Sequence, residues 1–69
     1  MAFYVYILAS RREGTLYIGM ADDLVRRMFE HQHGAVAGFT KRYGVKRLVW
    51  FEMHESRENA FARERALKK

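Results

Sequence analysis

Two phenols, a guanidinium, an imidazole and a carboxylate are the side chains whose types and spacing suit chemistry in this sequence. The phenols are Tyr6, closing Tyr4-Val5-Tyr6, and Tyr17, opening Tyr17-Ile18-Gly19. Arg27 follows Tyr17 by ten residues, and His31 lies one helical turn beyond Arg27. Glu64 sits inside Ala62-Arg63-Glu64-Arg65. The planar fork of an arginine suits a phosphate better than an ammonium does. Glu64 is the most telling of the five. At ~100° per residue, Ala60, Phe61, Leu67 and Lys68 all fall within about 60° of it, on the face with the largest apolar side chains of its helix. An ionised carboxylate rarely faces a core unless it is paired or bound to metal.

Each of these residues has an ordinary reading too. Strand tyrosines usually pack as the amphipathic edges of a core. Gly19 near a strand end marks a bulge or a close approach of backbone. Arg27 and His31 read equally as an exposed helix cation and a satisfied helix histidine. Glu64 reads as half of an ion pair, with Arg27 a candidate partner.

These side chains need elements to hold them. Phe3 to Ala9 is apolar or aromatic on both alternating faces, which predicts an interior strand. Ser10 to Gly14 is polar and ends in glycine, so it predicts a hairpin loop. A second strand follows from Thr15 to about Met20, placing Tyr17 nearly opposite Tyr6 and Ile7. A helix starts at Ala21 or Asp22, where Asp22 and Asp23 suit the positive end of the helix dipole. Leu24, Met28 and His31 share one face of that helix, with Arg27 at the border of the stripe, and Gly34 ends it. A short helix is expected around Val36 to Arg42. Arg47 to Met53 forms a third strand, with Leu48 and Trp50 on one face and Val49 and Phe51 on the other. Ser56 caps a last helix that runs to the chain end. The expected fold is α+β (α/β in the broad sense), a small three-stranded antiparallel sheet flanked by helices in the order β-β-α-(α)-β-α.

Composition narrows the function. The 69 residues contain no cysteine, which excludes disulfides and thiolate metal sites. No apolar stretch approaches the ~20 residues of a membrane span. Phe3 to Ala9 is too short for a signal peptide and has no basic residues before it, so no membrane association and a cytoplasmic location are expected. Thirteen Lys and Arg against eight Asp and Glu leave a net charge of +5. The charge is unevenly spread. Between His31 and Phe51 there is no acidic residue, but there are Lys41, Arg42, Lys46 and Arg47. Such a stripe suits a phosphate-rich partner, and also suits a merely solvated surface.

Taken as an ordered set, these residues resemble the GIY-YIG nucleases. That family shares a tyrosine triplet on its first strand, a second triplet about ten residues on, an arginine on the following helix and a glutamate on a later one. Tyr17-Ile18-Gly19 matches the second triplet fully, and Tyr6 matches the tyrosine closing the first, which here lacks its initial glycine. Arg27, Glu64 and the optional His31 stand at the family's places, and the resemblance covers nearly the whole chain as one domain over residues 1–69. It is closest to small single-domain bacterial members, and similar to the nuclease modules of homing endonucleases and of the excision-repair incision subunit. The chain ends at Lys69 inside the last helix, where family members usually continue, so a shortened domain or a diminished site is the expectation.

The resemblance implies a DNA endonuclease, with branched or damaged DNA among its candidate substrates and DNA repair among its settings. It implies catalytic roles for Tyr6, Tyr17, Arg27, His31 and Glu64. Glu64 is the implied ligand of one divalent metal, Mg²⁺ or Mn²⁺, whose other ligands are water and phosphate oxygens. Tyr6 is the implied acceptor of a proton from the attacking water. A phenol with pKa ~10 needs the positive field of Arg27 and the metal for that. Lys41, Arg42, Lys46 and Arg47 are the implied track for the DNA backbone. The alternative is a nucleic-acid-binding module that does not cut.

Overall fold

The computed structural model describes residues 2–33 and 42–68. Strand β1 (Phe3–Ala9) lies in the middle of a three-stranded antiparallel sheet, between β2 (Leu16–Ala21) and β3 (Arg47–His54). The middle position explains its composition. Val5, Tyr6, Leu8 and Ala9 are all buried, so neighbours on both faces are excluded from water. Helix α1 (Leu24–Gln32) covers the Tyr6 and Leu8 face, packing Leu24 and Met28 on a cluster of Tyr6, Leu8, Ala21 and Val45. Helix α2 (Arg57–Leu67) covers the opposite face, with Ala60 fully buried and Arg57 and Arg63 laid over the Phe3 and Trp50 rings. This is the expected α+β arrangement, a three-stranded antiparallel sheet with two helices among the described residues. Arg42 and Tyr43 are helical; the rest of the short helix expected around Val36 to Arg42 lies outside the described residues.

The hairpin sets the position of both tyrosines. Ser10 N–H donates to Thr15 O at 2.9 Å, while Ser10 Oγ accepts from Thr15 N at 3.0 Å. Gly14 must lack a side chain, because a Cβ there would run into Ser10 Oγ and the Arg11 side chain. The left-handed residue of the loop is instead Glu13, at φ 60°. The resulting register pairs Tyr6 with Gly19 and Leu8 with Tyr17. Tyr17 is thus one pair further along than expected. It remains on the Tyr6 face, because Tyr6 and Leu8 point the same way.

Two further expectations, the start of α1 and the faces of β3, are corrected. Ala21 belongs to β2, and Asp23 caps α1, its Oδ1 accepting from Arg26 N at 3.1 Å. The helix has its C-cap at His33, while Gly34 lies outside the described residues. In β3, Ile7 pairs with Trp50 but Leu8 pairs with Leu48, so Val49 is an extra residue. The bulge switches the alternation, which puts Leu48 and Trp50 on opposite faces rather than together. Ser56 caps α2 as expected, accepting from Asn59 N at 3.2 Å.

Candidate active site

Tyr6 is the hub of the candidate site. Its ring lies across Gly19, where a Cβ would stand 2.5 Å from the phenol oxygen and 2.6 Å from Cζ. The second triplet therefore ends in glycine because a tyrosine from the neighbouring strand occupies the space of its side chain. Tyr6 is only 2% exposed. Its hydroxyl shares a 3.2 Å hydrogen bond with Nε2 of His31, which is itself buried on α1. Tyr17 completes a ring cluster, with centroids 6.3 Å from Tyr6 and 5.7 Å from His31.

Both Tyr6 and His31 are shifted toward their neutral forms. Burial lowers the His31 pKa, and the positive charge of Arg27 lowers it further against the opposing pull of Glu30. The Tyr6 pKa is raised well above the usual phenol value, first by burial, then by Tyr17, with Glu64 and Glu30 adding to the rise. Arg27 pulls it down, as anticipated, but burial outweighs that pull. Tyr6 is thus a neutral phenol in this structure, held against a neutral imidazole.

Arg27 and Glu64 stand on the two helices, and the positive charge of Arg27 lowers the Tyr6 pKa while the negative charge of Glu64 raises it. They come from opposite faces of the sheet. Arg27 stands 3.7 Å from Glu30, which also pairs with Arg26 at 3.6 Å. Together with Asp22 and Asp23 these residues line a polar cavity of about 280 Å³. The Glu64 side chain is 14% exposed, so it does not project into solvent. Its ion-pair partner is Lys68, at 3.4 Å, and not Arg27. Of the expected apolar face around Glu64, Ala60 is buried but Phe61 is half exposed.

A divalent ion fits Glu64 only in the sparse way the chemistry allows. Among the described residues no three His, Cys, Asp or Glu are grouped to hold a metal. What Glu64 provides is a largely covered carboxylate already facing a cation. One such carboxylate with retained waters suits a hard ion like Mg²⁺ or Mn²⁺.

Of the basic stripe, Arg42, Lys46 and Arg47 are exposed, and Lys41 lies outside the described residues. Arg42 rests over the Tyr43 ring. The sequence reading passed over Arg11 and Arg12, which line a cavity of about 440 Å³ with Arg47. Their signal was a charged pair in the hairpin loop, brought beside Arg47 because Ala9 pairs with that residue. Glu30 and Lys68 were also passed over. Their helical spacing from Arg26, Arg27 and Glu64 was the available clue. No described helix is long and apolar enough to cross a membrane.

Comparison with known proteins shows the family. The family model described as the GIY-YIG catalytic domain matches residues 2–69. The chain is similar to a UPF0213 protein of Clostridium perfringens, 39% identical over 66 residues that cover 96% of this chain and 70% of the relative. It is also similar to a UPF0213 protein of Staphylococcus saprophyticus, 35% identical over 65 residues, covering 94% of this chain and 78% of the relative. Among solved structures, the solution NMR structure of a UPF0213 protein from Bacillus halodurans superposes with a TM-score of 0.56 at 37% identity, over 99% of this chain and 71% of that one.

Proposed function

The chain belongs to the GIY-YIG catalytic domain family, and from that membership we propose that it is a divalent-metal-dependent endonuclease hydrolysing phosphodiester bonds in DNA. The observation that supports the reading is the cluster of Tyr17 and His31 around the buried phenol of Tyr6, whose pKa responds to the charges of Arg27 and Glu64. A divalent ion held by Glu64 would neutralise charge on the leaving oxygen. Arg27 binds the scissile phosphate with a bidentate fork and stabilises the charge that develops there. It reaches the phosphate by giving up its loose contact with Glu30.

Tyr6 and His31 handle the proton. His31 is neutral at neutral pH, and its Nε2, already hydrogen-bonded to the Tyr6 hydroxyl, accepts in the tautomer that carries its proton on Nδ1. With its pKa raised, Tyr6 does not wait as a phenolate. It accepts a proton from the attacking water only as its own passes along the 3.2 Å hydrogen bond to His31. Tyr17, beside both rings, fixes their orientation. Arg11, Arg12, Arg42, Lys46 and Arg47 supply the positive field that holds the DNA backbone.

One observation favours the second reading, a module that binds nucleic acid without cutting: the near-sealed Tyr6 hydroxyl, which an attacking water must reach. A single assay separates the two. Supercoiled, branched and single-stranded DNA are incubated with the protein in Mg²⁺, Mn²⁺ and EDTA. Metal-dependent nicking supports the endonuclease. Binding without nicking of any substrate overturns it.

A further inference from the structure

Glu64 and Lys68 lie one helical turn apart at the end of α2, with Lys68 Nζ 3.4 Å from Glu64 Oε2. The pair is lopsided. The carboxylate side chain is 14% exposed and the lysine 53%. An ordinary solvent pair has both partners in water and holds neither firmly. Lys68 also lines a cavity of about 390 Å³ together with Leu16, Tyr17, Ile18 and Leu67. One lysine therefore borders both the candidate metal ligand and the open space beside a site tyrosine.

We propose that Lys68 is a tethered cation of this site, which leaves Glu64 for a phosphate oxygen of the nucleic acid when a divalent ion takes the carboxylate. The proposal rests on the reading of Glu64 as the metal-holding residue. Two cations a few ångströms apart on one carboxylate repel each other, so the ion and the ammonium cannot both stay. A lysine suits the exchange. It carries a compact charge with rotatable donors on a flexible stem, and it moves between oxygens without rebuilding the helix. The half-exposed position leaves the stem room to turn toward the cavity. In the unloaded protein Lys68 thus offsets the charge of Glu64. In the loaded protein it adds one phosphate contact at the Tyr17 side of the site.

The test uses the full chain and two measurements. First, Mn²⁺ is titrated without nucleic acid and followed by electron paramagnetic resonance, for wild type, Lys68→Met, Lys68→Arg and Glu64→Gln. Lys68→Met should bind Mn²⁺ about two- to five-fold more tightly, the scale of one lost exposed ion pair. Lys68→Arg should stay near wild type. Second, affinity for a DNA duplex is measured against salt, in EDTA and in Ca²⁺. In Ca²⁺ the wild-type slope should exceed that of Lys68→Met by about one, the signature of one phosphate contact. In EDTA the two slopes should agree. A purely structural helix pair would lower the melting temperature and move neither readout. Unchanged or weaker Mn²⁺ binding by Lys68→Met overturns the exchange, as does a slope difference that ignores Ca²⁺. If Glu64→Gln binds Mn²⁺ like wild type, the assignment of Glu64 fails and the exchange fails with it. If Glu64→Gln loses Mn²⁺ while Lys68→Met matches wild type, only the role of Lys68 fails.

Discussion

Replacing Gly19 by alanine tests the packing at the heart of the site. The added methyl would stand 2.5 Å from the Tyr6 oxygen, 2.6 Å from Tyr6 Cζ and 2.9 Å from Tyr17 Cε1. Ordinary carbon contacts lie at ~3.5–4.0 Å, so the methyl must displace a ring by about 1 Å. Tyr6 has little room to give, being 2% exposed and packed with Leu8, Ala21 and Val45. Overpacking of this kind costs about 1–3 kcal/mol. A domain of this length has a total stability of only ~3–10 kcal/mol. At a cost of ~2 kcal/mol the melting temperature should fall by roughly 8–16 °C. The displaced ring should also break the hydrogen bond to His31, so cleavage should fall more than the loss of folded protein explains. The assay is a thermal melt beside a cleavage time course, with the His31 ring followed by NMR. A Gly19→Ala protein that melts within ~2 °C of wild type with unmoved His31 signals would show that the glycine is not there to admit Tyr6.

Four other outcomes follow from the same geometry. Glu64→Gln should keep its melting temperature within a few degrees, since the lost helix pair is worth only ~0.3–0.5 kcal/mol, while DNA cleavage falls by at least ~10²; equal cleavage rates would remove Glu64 from the chemistry. Ser56→Ala removes the cap of α2 at a cost of about 1 kcal/mol, which a thermal melt should register as a drop of ~4–8 °C. Because the folded chain holds His31 neutral, the unfolded chain binds more protons once pH falls through ~6.5, so acid should erode stability from that pH downward; urea titrations of wild type and His31→Gln between neutral and acidic pH should differ in that slope. Replacing Arg42 and Arg47 together by alanine should flatten the salt dependence of DNA binding by about two, and an unchanged slope would remove the stripe from the DNA surface.

Local chemistry carried much of this protein's design. Alternation in Phe3 to Ala9 revealed the interior strand, because a strand buried on both faces has no polar side to show. Ser56 revealed the start of α2 because a cap is settled by adjacent residues. Leu24, Met28 and His31 identified the buried side of α1, since helical period alone fixes a face. The resemblance to the GIY-YIG nucleases, and not spacing alone, implied that Tyr6, Tyr17, Arg27 and Glu64 share one site. The rest belongs to contacts between segments distant in the chain. The Val49 bulge arises from pairing with β1, and no local propensity announces it. Gly19 reads in sequence as a bulge or a close approach of backbone, but only the packed sheet shows that what approaches is the Tyr6 ring. The Tyr6 pKa is raised because burial outweighs the field of Arg27, and burial is a property of the whole packed core. The partner of Glu64 is likewise decided in three dimensions. Arg27 was the partner the sequence suggested, but the two helices lie on opposite faces of the sheet, and Lys68, one turn along from Glu64, holds the carboxylate.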